Sequence, residues 1–280
     1  MSTFTFKESL KIYEQTQSQA EESPKFGYHA LDKLIPGLIP GQLTIIAGAT
    51  SMGKTSLSCN FAYNMAKKQN KKVLFYSLES GHSVAGVVYR ISGDKNVKNL
   101  TIIKPESRFT IKELVVSIKA NLQNADVIFI DHLHYLLPQN VIQLQANIAD
   151  VIRQLQTLAF NFKLPIITIA HVRKLPSETS IPGLNDLKDS SALSQEPSLV
   201  IVVHRFKREA QDVAVNNEEI FRNNGLLLVL KNRDFGRTGS LKLEFDPATL
   251  AFAIQDQWPM SEPKKQSLTR PFDEVFGGEK

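Results

Sequence analysis

Short runs of unbroken apolar residues recur along the chain: LTIIAG at 43–48, VLFYSL at 73–78, DVIFID at 126–131, LPIITIAH at 164–171 and SLVIVVHR at 198–205. Each has the length of a strand, and none alternates apolar with polar, so each is expected to be covered on both faces. Between them lie stretches of helical period. KTSLSCNFAYNMAKK puts Leu57, Phe61 and Met65 on one face, and 83–92, 110–122 and 143–162 read as further helices. Helical connections between parallel strands cross over right-handed. The predicted fold class is therefore α/β, a wound, mainly parallel sheet flanked by helices.

The pattern changes after 205. Residues 206–224 are charged and lack a period, which predicts an exposed loop. LLLVLKNR (226–233) and SLKLEF (240–245) flank DFGRTG, a turn signal, and predict a C-terminal β-hairpin. A last short strand is expected at 250–254. Residues 257–280 carry Pro259, Pro263 and Pro271 and read as a disordered tail. At the other end, Phe6, Leu10 and Tyr13 fall at helical spacing before a polar stretch closed by Pro24. They describe a helical arm that packs on a neighbouring subunit, or else a frayed terminus. The expected organisation is an arm or linker over 1–24, one main α/β domain over 25–256 and the tail over 257–280.

Composition excludes several classes. With 42% hydrophobic and 22% charged residues, wholesale disorder is out. A net charge of +5 leans only weakly toward an anionic partner. The lone Cys59 permits neither an internal disulfide nor a cysteine metal site, and fits a reducing, cytoplasmic compartment. The opening MSTFTFKESLK has no apolar core of a signal peptide, and no apolar run is long enough for a membrane span.

The strongest chemical signal is the segment Gly48, Ala49, Thr50, Ser51, Met52, Gly53, Lys54, Thr55, which fits G-x4-G-K-[ST] and runs into Ser56. A buried strand precedes it and an amphipathic helix follows. Glycines let the backbone wrap a phosphate with its N–H groups pointing inward, and the helix N-terminus adds partial positive charge. Lys54 is expected to reach the β- and γ-phosphates of ATP, and the Thr55 hydroxyl to ligate Mg2+.

Three strand ends add candidates. Asp131 closes VIFID at the edge where α/β sheets bind ligands, and is assigned to the Mg2+ shell. Glu79 closes FYSLE and has the chemistry to polarise an attacking water; a solvated helix-start Glu is the alternative. His171 closes IITIAH, placed to bond the γ-phosphate or that water.

The order of these motifs, followed by DLKDSSALSQEPSLVIVVHR (186–205) and KNRDFGRTG (231–239), resembles the RecA-fold motor domain of DnaB-like replicative ring helicases over roughly 25–256. The His at 171, where bacterial DnaB usually has Gln, is closer to the phage primase-helicase and Twinkle branch. The resemblance implies a RecA-like sheet, an ATPase with Glu79 as catalytic glutamate, Asp131 as Walker B aspartate and His171 as γ-phosphate sensor. It implies that Lys231 and Arg233 reach the nucleotide of the next subunit in a hexameric ring, Arg233 as arginine finger. Lys188, Asp189, Ser190 and Ser191, with Arg173 and Lys174, match loops that face single-stranded DNA in the ring's channel. A loader or primase is the implied partner.

Departures are also visible. LSQEPS replaces an acidic EQDAD-like run, no Met follows Glu79, and residues 1–24 stand where replicative helicases carry a large collar or primase domain, so no primase function is expected. Two other readings are a RecA-fold loader, recombination mediator or regulator that holds single strands without unwinding, and a KaiC-like signalling ATPase or phosphotransferase.

Overall fold

The computed structural model describes residues 5–79, 84–106, 109–138, 144–172, 180–187, 191–207 and 221–255. Nine strands form one sheet: β1 (Leu43–Gly48), β2 (Val73–Ser77), β3 (Leu100–Ile103), β4 (Val127–Asp131), β5 (Ile166–His171), β6 (Leu199–Lys207), β7 (Phe221–Asn232), β8 (Gly239–Phe245) and β9 (Phe252–Gln255). Their spatial order is β3-β2-β4-β5-β1-β6-β7-β8-β9. The six strands from β3 to β6 run parallel. β7, β8 and β9 continue the sheet antiparallel. The helices are α1 (Phe6–Glu22), α2 (His29–Leu34), α3 (Lys54–Tyr63), α4 (Val84–Ser92), α5 (Ile111–Asn121), α6 (Leu144–Phe162) and the short α7 (Ala192–Gln195).

The strands divide their side chains between two cores with period two. In β1, Ile46 joins the core under α2, α3 and α4, while Leu43, Ile45 and Ala47 join the core under α5 and α6. In β2 the split is Val73 and Phe75 against Leu74 and Tyr76. This double burial is what the unbroken apolar runs foretell. The expected mainly parallel, wound sheet is what the chain forms.

Two features differ from the sequence reading. The segment read as a loop over 206–224 is strand at both ends, because β6 runs to Lys207 and β7 starts at Phe221. These charged ends pair across the hairpin, Lys207 opposite Phe221, and ladder hydrogen bonds need no apolar period. The expected C-terminal hairpin is larger than read: β6 to β9 form an antiparallel run, with β9 close to the 250–254 strand expected. The predicted tail over 257–280 lies outside the described residues. No helix among the described residues is long and apolar enough to cross a membrane.

Candidate functional site

The loop 48–55 leaves the end of β1 and enters α3, as its sequence demands. Gly53 caps α3 with φ +88°, a left-handed conformation natural to glycine, and a Cβ there would meet the Phe252 ring at 2.8 Å. A Cβ on Gly48 would sit 2.7 Å from the Val203 carbonyl oxygen. Both glycines therefore answer to close packing as well as to loop shape. Behind the loop, Asn60 of α3 is buried and ties four elements together. Its amide donates to the Ser56 and Leu250 carbonyls, and its Oδ1 accepts from the Tyr28 hydroxyl and the Phe252 N–H.

Lys54 is buried, with Nζ donating to the Ala49 carbonyl at 2.8 Å. Burial pushes its ammonium down to about 8, while the carboxylates of Asp131 and Glu79 pull the other way. A desolvated lysine flanked by two acids is poised to gain from an arriving polyphosphate.

The sheet brings the other candidates to the same edge. β2, β4, β5 and β1 are consecutive neighbours, and their carboxyl ends carry Glu79, Asp131, His171 and Gly48. Ser77 pairs with Asp131 and Gly48 with His171. The Asp131 carbonyl accepts from the Leu78 N–H at 2.6 Å and the Glu79 N–H at 3.2 Å, so the strand that places the aspartate also places the glutamate. Asp131 is buried, Glu79 exposed and His171 between the two. The Thr55 hydroxyl and the Asp131 carboxylate are hard oxygen donors, the set Mg2+ prefers when nucleotide phosphates complete its shell. Among the described residues no cluster of three or more His, Cys, Asp or Glu could hold a metal without such help.

Two histidines beside the site escape sequence reasoning. His132 and His134 gather on His171, with ring centroids 4.2 Å from His132 to His171 and 5.1 Å between His132 and His134. Their Nδ1 atoms stand 3.3 Å apart. Burial, then the two histidine neighbours and Lys54, push His132 down to about 2, so it is neutral at physiological pH. The pattern DHLH was the available signal, but nothing in its spacing ties it to a histidine in another strand. Arg205 and Phe245 were missed as well. The Arg205 guanidinium lies 4.2 Å from the Phe245 ring centroid, and the Arg205 N–H points at the Met52 sulfur of the phosphate loop.

Lys231 and Arg233 do not join this site. Lys231 pairs with Val200 and Asn232 with Leu199, which in turn stands beside Thr44 near the start of β1. The pair therefore lies at the amino edge of the sheet. From Thr44 to Gly48 the strand rises about 13 Å. Lys231 Nζ donates to the Ser194 and Gln195 carbonyls, and Arg233 donates to Gln195 and Glu196 at the end of α7.

Of the residues assigned to single-stranded DNA, Arg173, Lys174, Lys188, Asp189 and Ser190 lie outside the described residues. Ser191 is exposed, and its carbonyl accepts from the Ser194 and Gln195 N–H groups as α7 starts. Val172 and Leu187, which precede the two assigned segments in the chain, form an antiparallel bridge next to His171.

Comparison with known proteins agrees with this architecture. The chain is 28% identical over 282 residues to a probable plasmid replicative DNA helicase of Chlamydia muridarum, covering 90% of this chain and 59% of the relative. It is 27% identical over 263 residues to the replicative DNA helicase DnaB of Mycoplasma genitalium, covering 82% and 56%. It thus spans less than two thirds of these relatives. Among solved structures, the ATPase domain of G40P superposes with a TM-score of 0.72 at 18% identity, covering 92% of this chain and all of that one. A DnaB-like replicative helicase studied for its interactions with primase gives the same TM-score and identity, covering 90% and 67%. The sequence also matches the DnaB-like helicase C terminal domain over residues 25–96 and 87–254. With the phosphate loop, the strand-end acids and the sheet order in place, the chain belongs to the DnaB-like helicase C-terminal domain family.

Proposed function

We propose that this chain is an ATP-hydrolysing motor of the DnaB-like replicative helicase type, moving on single-stranded DNA, with ATP sites between the subunits of a hexameric ring. The carrying observation is the separation of two half-sites. Lys54, Thr55, Glu79, Asp131 and His171 meet at the carboxyl edge of the sheet, while Lys231 and Arg233 stand at the amino edge, bonded to α7. Their distance from their own phosphate loop supports the reading in which each cation serves another copy's.

In this reading the loop N–H groups and Lys54 hold the triphosphate of ATP, with the helix end of α3 behind them. Thr55 and Asp131 would hold Mg2+, which would supply neutralisation of the phosphate charge. Glu79 accepts the proton of the attacking water, and its backbone bond to Asp131 keeps it in register with the metal side. His171 bonds the γ-phosphate, its ring packed by His132. Arg233 and Lys231 of a neighbour stabilise charge developing on the γ-phosphate, which makes turnover depend on assembly. The segments leaving at Val172 and Leu187, with Ser191, track the strand backbone, and the adjoining His171 reports the phosphate state to them. The motor core spans 25–256, with 1–24 as an arm packing on the next subunit and 257–280 as a tail. A primase or loader is the proposed partner, on the strength of the solved relative studied with primase.

The test is ATP hydrolysis with and without single-stranded DNA over a range of protein concentration, followed by strand separation on a forked duplex. Stimulation by DNA that rises steeply with concentration is expected. Turnover indifferent to both would overturn the ring motor and leave a regulatory ATPase. Stimulation without strand separation would favour a loader or mediator.

A further inference from the structure

The cation pair is held on a short cradle of main-chain oxygens. Lys231 Nζ lies 2.7 Å from both the Ser194 and Gln195 carbonyls. Arg233 Nη2 lies 2.5 Å from the Gln195 carbonyl and Nη1 3.5 Å from that of Glu196. Carbonyls at a helix C-terminus lack intrahelical partners and carry partial negative charge, so they suit cations. Pro197 follows and carries no N–H to compete for these oxygens. The cradle does not exhaust its guests. An ammonium has three donors and a guanidinium five, and each spends two here. These bonds leave one ammonium donor and three guanidinium donors unspent. The contact orients the pair without consuming it.

Glu196 is where the cradle is fixed. Its carbonyl takes Arg233, and its carboxylate Oε1 accepts from Arg153 Nε of α6 at 3.1 Å. It also offsets the repulsion within the pair. The charged groups acting on Lys231 are Arg233 from its own strand and Glu196 from the end of α7. Burial and Arg233 push the Lys231 ammonium down to about 8, and Glu196 opposes them.

We infer that Glu196 is a positioning residue for the trans-acting pair, its anchored main chain holding the carbonyl cradle that orients Lys231 and Arg233. This rests on the reading of Lys231 and Arg233 as groups lent to a neighbouring ATP site.

The experiment uses the full chain with single-stranded DNA and compares wild type, Glu196→Gln and Glu196→Asp for kcat and KM between pH 6.5 and 9. Glu196→Gln is expected to lower kcat at neutral pH by about two- to fivefold, the scale of a partly exposed ion pair. KM for ATP stays unchanged, because the pair acts on charge that develops only in the transition state. The alkaline fall of kcat moves to lower pH, since the neutral amide no longer favours the Lys231 ammonium. Glu196→Asp restores both. Wild-type kcat and pH profile in Glu196→Gln overturn the inference, as does a loss equal at every pH that Glu196→Asp does not restore. A parallel mixture of Lys54→Ala and Arg233→Ala subunits separates the two levels. If the mixture regains no turnover, the trans reading fails and this inference with it; if it does, the Glu196 variants judge the inference alone.

Discussion

Lys54 concentrates the electrostatics of the site in one side chain. Its folded-state value near 8 lies below the 10.5 of an unperturbed lysine. Between those values the unfolded chain binds more protons, so the cost of burying the ammonium is fully present below pH 8 and is relieved as pH rises toward 10.5. Triphosphate binding acts in the opposite sense and draws the proton back. Above pH 8, ATP affinity is expected to fall by up to about tenfold per pH unit. Calorimetry at pH 9 in two buffers of different ionisation heat checks this, and identical binding heats in both would contradict it. Lys54→Ala is expected to cut turnover by about 10²–10³-fold, the cost of losing one charge-stabilising donor, while far-ultraviolet dichroism stays native. Single residues were legible in the sequence where a motif fixes their neighbours. Lys54 and Thr55 follow from loop spacing and Asp131 from its place at a strand end. His132, Arg205 and Phe245 were not, because their roles come from contacts across strands, and no spacing along the chain encodes those.

At the scale of elements, the antiparallel extension imposes the tightest fits. A Cβ on Gly225 would fall 2.1 Å from the His204 carbonyl oxygen, a contact with backbone that cannot yield. Gly225→Ala should cost about 1–3 kcal/mol, the usual price of overpacking, read as a lower urea midpoint with an unchanged slope. The junction of α3, β9 and the turn before it depends on Asn60. Asn60→Ala strands the buried Phe252 N–H and should cost about 1–3 kcal/mol in the same measurement. The parallel strands and most helices were readable because burial on both faces writes itself as unbroken apolar runs. The short helix α2 and strand β3 were missed: six and four residues carry too little period to stand out. The outer ends of β6 and β7, 206–207 and 221–225, were missed for another reason, since their sequence has no apolar period and only the ladder makes them strand.

For the whole molecule, the predicted stripe on α1 is present and bare. Phe6 is 82% exposed, Tyr13 57% and Leu10 42%. Replacing all three by Ser is expected to leave the melting of the core unchanged and to shift the concentration at which DNA-stimulated turnover appears to higher values. An equal turnover-versus-concentration curve for the triple variant would show that the stripe has no part in assembly. The wound, mainly parallel sheet was legible because motif order survives where individual spacings drift; the assignment of Lys231 and Arg233 to a neighbour's nucleotide came from the family resemblance alone, because their place at the amino edge depends on strand direction, and β7 reverses it. That reversal has a mechanical consequence. β1, β6 and β7 are joined edge to edge by hydrogen-bonded ladders, the second bulged at Val200/Ile201 and Arg205/Lys207, so the phosphate loop and the cation pair sit at opposite rims of one plate, β1 and β7 about 10 Å apart across it. A plate of this kind passes tilt on from rim to rim. In a closed circle of such plates, a subunit that rotates to tighten its grip on its own nucleotide must swing its far rim through a matching arc. If copies close into the proposed ring, each adjustment would be felt next door, and the circle would behave as meshed gears rather than as independent engines.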